Sequence, residues 1–339
     1  MKVLSLLCCL LAAFITHPVQ AERAVTDSAS RTVTIPDRVE RVFAAGGPAA
    51  IALYIIAPDR MLGWPRANRA AEIEFLAQPY AGLPGVGGLT GQGGEASLER
   101  MLSLQPDLII DFGSLRETYI DLANRVQAQT GIPYLLIDGS FENTPAALRL
   151  LGDVLGVPER GEALARDAEA TFGRIDALLA EVPEDQRPRV YFARRPNGLE
   201  SGMVGSINTE IIERAGGINV LGRSATARGL VQVGFETILA ENPDLVVTWD
   251  EQFYRDHRDD PLWQQLPAVQ AGRVYLAPML PFGWIDRPPS LNRIIGLDWM
   301  ASHLYPDRHQ IDLRERAREF YRLWYQVELD EAQLDRLLQ

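Results

Sequence analysis

A segment that occurs twice in the chain constrains its fold more than any other feature of the sequence. The copies cover residues 97–110 and 234–247, and each has a short helical stretch, a Pro-Asp turn and a buried run of branched apolar residues. Glu99 and Glu236 occupy matching positions, seven residues before the proline of their copy. Two copies so far apart indicate duplication of a whole lobe, because solenoid repeats recur at a short, regular period.

Candidate strands alternate with helical stretches in both halves of the chain. Residues 41–44, 61–63, 108–112 and 134–138 read as strands in the first half, and residues 190–193, 245–249 and 274–277 in the second. Such alternation predicts a parallel, doubly wound sheet in each half. The expected fold class is therefore α/β, with two doubly wound parallel-sheet lobes joined by one long helix.

The connection between the lobes is predicted at residues 158–183. Apolar residues recur there at spacings of three and four, which is typical of an amphipathic helix, and Pro158 suits a first helical position. A helix of about 25 residues spans roughly 37 Å, enough to cross the back of both lobes and to leave a largely preformed cleft. The predicted organisation is a signal peptide at 1–21, an N-terminal α/β lobe at 22–157, the linking helix at 158–183 and a C-terminal α/β lobe at 184–339.

The first residues have the layout of an export signal, with one charge at Lys2, an apolar run to residue 15 and small residues before position 22. Cys8 and Cys9 lie within this run, so the chain expected after cleavage has no cysteine and no disulfide or thiolate site. It keeps about 318 residues, more than a single core usually supports. The formal net charge of −12 argues against nucleic acid and anionic membranes as partners.

These features resemble the single-helix-linked class of periplasmic binding proteins, which serves the vitamin B12, ferric siderophore and haem importers. The resemblance rests on the two glutamate-containing repeats, the connecting helix and the Gly-Gly-Ile-Asn-Val stretch at 216–220. It implies a periplasmic monomer with no cofactor and no enzymatic activity, which delivers its ligand to an ABC permease in the inner membrane. In that family one glutamate of each lobe docks onto permease arginines, and by position these glutamates are Glu99 and Glu236.

Arginines and tryptophans follow the predicted strands of both lobes. Because ligands bind at the carboxyl ends of the strands in open α/β sheets, these loops should face one another across the cleft. Indole faces offer flat apolar contact, and guanidinium forks bind oxygen atoms in pairs. The candidate ligand-binding residues are Trp64, Arg66, Arg69, Arg194, Arg195, Arg228, Trp284 and Arg287. For any single arginine, a solvated position or a salt bridge between the lobes is the open alternative.

An arginine-rich cleft predicts an anionic ligand, and we expect a metal chelate, in the first place a ferric siderophore. Molybdate or tungstate is the alternative, followed by haem or cobalamin. A bare metal ion is disfavoured because the histidines that remain, His257, His303 and His309, all belong to the second lobe. An α/β enzyme or a structural surface protein are two further classes. Residues 198–202 miss the G-x-S-x-G elbow by one position, and the glycines at 85–91 do not fit G-x-G-x-x-G.

Overall fold

The computed structural model describes residues 21–91, 98–222 and 229–338. Apart from Ala21, the predicted signal peptide lies outside these residues. Within them, the strands form two parallel sheets and two antiparallel pairs. No helix in the same ranges combines the length and the apolar character that crossing a bilayer requires.

The described residues of the first half form five strands and five α-helices. The strands are β1 (Glu22–Thr26), β2 (Thr32–Pro36), β3 (Val42–Ala44), β4 (Leu108–Gly113) and β5 (Tyr134–Asp138). The helices are α1 (Gly47–Ile56), α2 (Ala70–Ile73), α3 (Leu98–Ser103), α4 (Glu117–Thr130) and α5 (Thr144–Val154). The antiparallel pair of β1 and β2 was not predicted.

Helix α6 (Pro158–Ala180) leads into the second half. The strands that follow are β6 (Arg189–Ala193), β7 (Glu200–Gly202), β8 (Ile218–Asn219), β9 (Leu230–Gln232), β10 (Leu245–Thr248) and β11 (Val274–Leu276). The helices are α7 (Glu210–Arg214), α8 (Phe235–Glu241), α9 (Glu251–Asp256), α10 (Pro267–Gln270), α11 (Arg293–Leu304), α12 (Leu313–Phe320) and α13 (Glu331–Leu337).

The two parallel sheets repeat one strand order. In the first sheet β4 lies between β3 and β5, and Met61 adds a single parallel bridge to Val42 of β3. In the second sheet β10 lies between β6 and β11, and β8 pairs with the far side of β6. The strands of the duplicated segment, β4 and β10, thus hold the same place. The predicted α/β fold with a parallel sheet in each half is confirmed, although residues 61–63 form a bridge rather than a strand.

The duplicated segments also share one backbone conformation. Gln105 and Asn242, each directly before the proline of its copy, both adopt a positive φ, of 49° and 42°. This left-handed conformation ends the helix and turns the chain into the strand, and it is uncommon for residues other than glycine. Its occurrence at matched positions means that the repeat in sequence is a repeat in structure.

Helix α6 begins at Pro158, as predicted, and ends at Ala180, shortly before the predicted end. A buried ion network fixes it to the C-terminal helices. Asp298 of α11, with a fully buried side chain, lies 2.7 Å from Arg174 of α6 and 3.0 Å from Arg316 of α12. Arg316 also pairs with Asp167 of α6 at 2.9 Å. Removing one member of such a network leaves a buried charge without its partner, so the network holds α6 in one position.

The C-terminal residues, which the sequence places in the second lobe, also contact the first half of the chain. The hydroxyl of Tyr54 in α1 donates a 2.6 Å hydrogen bond to the carbonyl oxygen of Tyr325. Arg160 of α6 donates to the Ile55 carbonyl at 2.7 Å, and Arg336 pairs with Glu74. One hydrophobic core therefore runs through both halves, which are joined by α6 and by this C-terminal segment.

Candidate functional site

Four exposed arginines from loops that follow strands of both sheets lie near one another. Arg66 and Arg69 come after the Met61 bridge, Arg195 follows β6, and Arg287 comes after β11. Burial lowers the pKa of Arg287, and the positive charges of Arg69, Arg195 and Arg66 lower it further, against the attraction of Asp250. We call these four residues the arginine cluster. It brings together side chains from the two halves of the chain, as a ligand cleft between the lobes requires.

The guanidinium of Arg287 is available to a ligand. Among the described residues it has no ion pair or hydrogen bond, and its guanidinium carbon lies 4.3 Å from the centre of the Trp249 ring. The indole of Trp249 is 5% exposed, and Arg194 lies 5.3 Å from its centre. Stacking on an aromatic face orients a guanidinium without using its N–H donors. Trp249 is not among the residues that the sequence predicted to contact ligand, so its contact with Arg287 was missed.

Two arginines of the cluster have an unusual backbone. Arg195 and Arg287 have φ values of 69° and 70°, in the left-handed region that residues other than glycine seldom adopt. Such strain of about 1–3 kcal/mol persists only where the surrounding structure imposes it, and it concentrates at ligand sites. The strained backbone thus marks the same two residues that the charges bring together.

Arg194 differs from its neighbour Arg195. It is 8% exposed and forms ion pairs with Glu200, at 3.1 Å, and with Asp286. Arg195 is exposed, and its Nε lies 3.3 Å from the second oxygen of the Glu200 carboxylate. The predicted ligand contact of Arg194 is therefore corrected to a supporting role, because two carboxylates already engage its buried guanidinium.

Glu72 supports the two arginines of the first half. Its carboxylate accepts two hydrogen bonds from Arg66, at 2.6 and 2.8 Å, and one from the backbone N–H of Arg69 at 2.8 Å. Burial acts to raise the pKa of Glu72, but these hydrogen bonds outweigh it and the pKa is lowered. Both arginine side chains stay at least half exposed, so Glu72 orients them without covering them.

The two tryptophans predicted to contact ligand lie in the core. Trp64 is 3% exposed and donates from Nε1 to the Tyr80 carbonyl oxygen at 2.9 Å. Trp284 is fully buried, and its Nε1 donates to the hydroxyl of Tyr321 at 3.2 Å. Distant segments cover both indoles, so both rings are buried although a ligand contact was predicted for them. Neither ring offers a flat apolar face to a ligand in this structure.

The remaining predicted residues fall into two groups. Arg228 lies outside the described residues. Glu99 and Glu236 are exposed in the first turns of α3 and α8, and neither carboxylate forms an ion pair or hydrogen bond with the described residues. They have the exposure that a docking contact needs.

The histidines are engaged elsewhere. His309 lies 3.3 Å from Asp298, while His257 and His303 contact the carbonyl oxygens of Tyr254 and Trp299. In the ranges that the structure covers, no three or more histidine, cysteine, aspartate or glutamate side chains are grouped as ligands for a metal ion.

The sequence profile of the periplasmic binding protein family matches residues 86–279. The molybdate-binding protein MolA of Haemophilus influenzae is 26% identical, over 96% of this chain and 97% of its own. The vitamin B12-binding protein of Vibrio parahaemolyticus is 26% identical, over 77% of this chain and 84% of its own. Among solved structures, an ABC transporter solute binding protein from Sulfurospirillum deleyianum superposes with a TM-score of 0.85 at 30% identity, covering 93% of this chain and 98% of its own.

Proposed function

The chain belongs to the periplasmic binding protein family, and we propose that the ligand it carries for an ABC importer is an oxyanion of the molybdate type, held by the arginine cluster. The observation that carries the proposal is the guanidinium of Arg287, which has no ion pair among the described residues, stacks on Trp249 and lies within electrostatic reach of Arg66, Arg69 and Arg195. A local surplus of positive charge favours an anion, because a bound anion removes the repulsion among the like charges.

The number of charges at the site favours a small anion. Five guanidinium groups and three carboxylates make up its described part: Arg66, Arg69, Arg194, Arg195 and Arg287 against Glu72, Glu200 and Asp286. The surplus is two positive charges, or one if Asp250, whose carboxylate caps α9, is counted. A tetrahedral dianion matches this surplus, and its four oxygens can each accept from a guanidinium fork.

The character of the lining supports the same choice. Haem and cobalamin present broad rings that call for flat apolar contact, and Trp64 and Trp284, which were predicted to supply it, are buried. The relative matched over nearly the full length of both chains is named for molybdate. A ferric siderophore is the second candidate. It is favoured by the exposure of all four arginines of the cluster, which a larger anionic chelate can contact together.

The binding proposal is tested by calorimetric titration of ligand-free, metal-stripped protein with molybdate, tungstate, sulfate, cobalamin and a panel of ferric siderophores. We expect saturation at one molybdate or tungstate per chain. Saturation by a ferric siderophore alone would support the second candidate. Binding of cobalamin alone, with no oxyanion or chelate bound, would contradict an anion site at the cluster.

Delivery is proposed to use Glu99 and Glu236 as contacts with arginines of the inner-membrane permease. The charge reversals Glu99→Arg and Glu236→Arg should leave folding and ligand affinity intact, because both side chains are exposed. They should abolish uptake, since like charges brought together at an interface cost several kcal/mol. Ligand titration and uptake into proteoliposomes that carry the permease are measured on the same double variant. Normal uptake would contradict the docking role.

Export and oligomeric state complete the proposal. We propose that residues 1–21 direct the chain to the periplasm and are removed there, and that the protein acts as a monomer. Mass spectrometry of protein recovered from the periplasm tests the first point, through an N-terminus at Glu22. Light scattering tests the second.

A further inference from the structure

Two exposed leucines occupy matching positions in the duplicated segments. Large hydrophobic side chains that are exposed in the described parts of the chain are Leu102, Ile218, Leu230, Leu239 and Leu262. Leu102 lies three residues after Glu99 and Leu239 three residues after Glu236, and they are 43% and 37% exposed. A single exposed leucine is ordinary. The same exposure at both copies of one position calls for a common cause.

The helices do not need these leucines for packing. The neighbouring residues Met101 of α3 and Ile238 of α8 are themselves matched, and both are fully buried beneath their helices. Each helix is therefore anchored to its lobe by the residue before the leucine. The leucine lies on the outer surface, where a polar residue would serve folding equally well.

Each leucine shares a helix face with a glutamate that has no ion pair with the described residues. Residues three apart on a helix are neighbours, so Glu99 and Leu102 form one exposed acidic and apolar pair, and Glu236 and Leu239 form the other. We call these two pairs the anchor pairs. They stand at equivalent places on the two lobes, because α3 and α8 lead into the equivalent strands β4 and β10.

We infer that Leu102 and Leu239 are the apolar half of the permease-docking surface, and that each inserts into an apolar pocket beside the cation that its glutamate contacts. The inference rests on the proposed docking role of Glu99 and Glu236. The partner must present two equivalent pockets, each next to a basic group, at the spacing of the two lobes. A second copy of this chain fits poorly, because its anchor pairs carry the same negative charge and would repel those of the first.

The two halves of an anchor pair should respond differently to salt. Ion pairs at an exposed rim weaken as ionic strength rises, because the Debye length falls to about 3 Å at 1 M salt. Apolar contact does not weaken in this way. The glutamates should therefore govern affinity for the permease at low salt, and the leucines should retain their contribution at high salt.

The test measures binding of purified protein to its permease in lipid nanodiscs, at low and at high salt. Leu102→Gln and Leu239→Gln keep side-chain length and helix propensity. Burying the exposed part of one leucine corresponds to about a fivefold to tenfold change in affinity, so the double variant should bind about 25- to 100-fold more weakly at both salt concentrations. Glu99→Gln with Glu236→Gln should weaken binding mainly at low salt. Leu262→Gln is the matched control, because Leu262 is 49% exposed and has no counterpart in the repeat.

Each outcome separates the two proposals. If the leucine variant binds the permease as the wild type does while the glutamate variant fails, the leucine inference is wrong and the glutamate docking stands. If neither variant changes binding, both are wrong. If the wild type dimerises in light scattering and the leucine variant does not, the leucines serve self-association and the inference is overturned. Ligand titration of every variant should give the wild-type affinity, which excludes misfolding as the cause of a loss.

Discussion

Replacing Arg287 by glutamine should separate the contribution of this residue to stability from its contribution to binding. The guanidinium of Arg287 is exposed to the positive charge of Arg66, Arg69 and Arg195 and has no ion pair among the described residues. Losing the contact of the exposed Arg287 guanidinium with the Trp249 ring costs about 0.5–1 kcal/mol. Relief of the repulsion among the four arginines acts in the opposite direction. We therefore expect the free energy of unfolding to change by about 0.5 kcal/mol or less.

Binding should respond much more strongly. A hydrogen bond from a charged group to an anionic oxygen contributes about 1.5–3 kcal/mol, which corresponds to a loss of affinity of roughly tenfold to 150-fold. The variant also removes one of the surplus positive charges of the site. Glutamine is as strained as arginine in the left-handed backbone at position 287. This strain is therefore the same in both proteins and does not contribute to the difference between them.

Calorimetric titration with molybdate and thermal unfolding without ligand measure the two effects. Arg166→Gln is the control, because Arg166 is an exposed arginine of α6 whose only ion pair in the described chain is with Glu162. The reasoning is refuted if Arg287→Gln binds as tightly as the wild type. It is also refuted if the variant unfolds several degrees lower without ligand, since the arginine would then be a structural residue.

Three further changes test the site and its frame. Affinity for molybdate should fall as ionic strength rises, because exposed arginines dominate the site, and a salt-independent affinity in titrations would contradict this. Asp298→Ala should lower the free energy of unfolding, measured in urea, by about 3–5 kcal/mol, since it removes the buried carboxylate that Arg174, Arg316 and His309 share. A loss below about 1 kcal/mol would contradict the structural role. Burial raises the pKa of Asp111 despite hydrogen bonds from Tyr134 and Thr90. The protonated carboxyl therefore contributes to stability in full below the pKa of the unfolded chain. This contribution is lost as pH rises through the raised pKa of the folded protein. Asp111→Asn should therefore gain melting temperature relative to wild type between about pH 4 and about pH 7, and an equal difference at both pH values would contradict it.

The repeated segment carried most of the fold prediction. Its helix, turn and strand are short-range features, and the Pro-Asp turn fixes where each helix ends, so the sequence predicts them in both copies. The sequence predicted a strand at residues 61–63, but this segment pairs with its sheet through one bridge at the edge. The pairs β1–β2 and β7–β9 were missed, since short antiparallel edges have little sequence signal of their own.

Burial of the site residues depends on contacts that the local sequence does not record. Trp284 has glycine and proline neighbours that suggest an exposed loop, but its cover, Tyr321, comes from the C-terminal segment. Arg194 and Arg195 are adjacent in sequence and opposite in role. Strand β6 before them is buried on both faces, so no alternation of polar and apolar residues indicated which of the two would point inward. The sequence predicted the loops, but it did not predict which of their side chains reach the surface.

The connection between the halves explains how a cluster of like charges can be held together. Helix α6, the Asp298 network and the C-terminal segment join the lobes at several points, so the lobes cannot separate freely to relieve repulsion among the arginines. The left-handed backbone of Arg195 and Arg287 is a strained conformation of the kind that a mobile loop would relax. An anion bound at the proposed site would meet guanidinium groups that are already oriented. Little conformational entropy is then lost on binding, and affinity follows from the number and placement of the arginines.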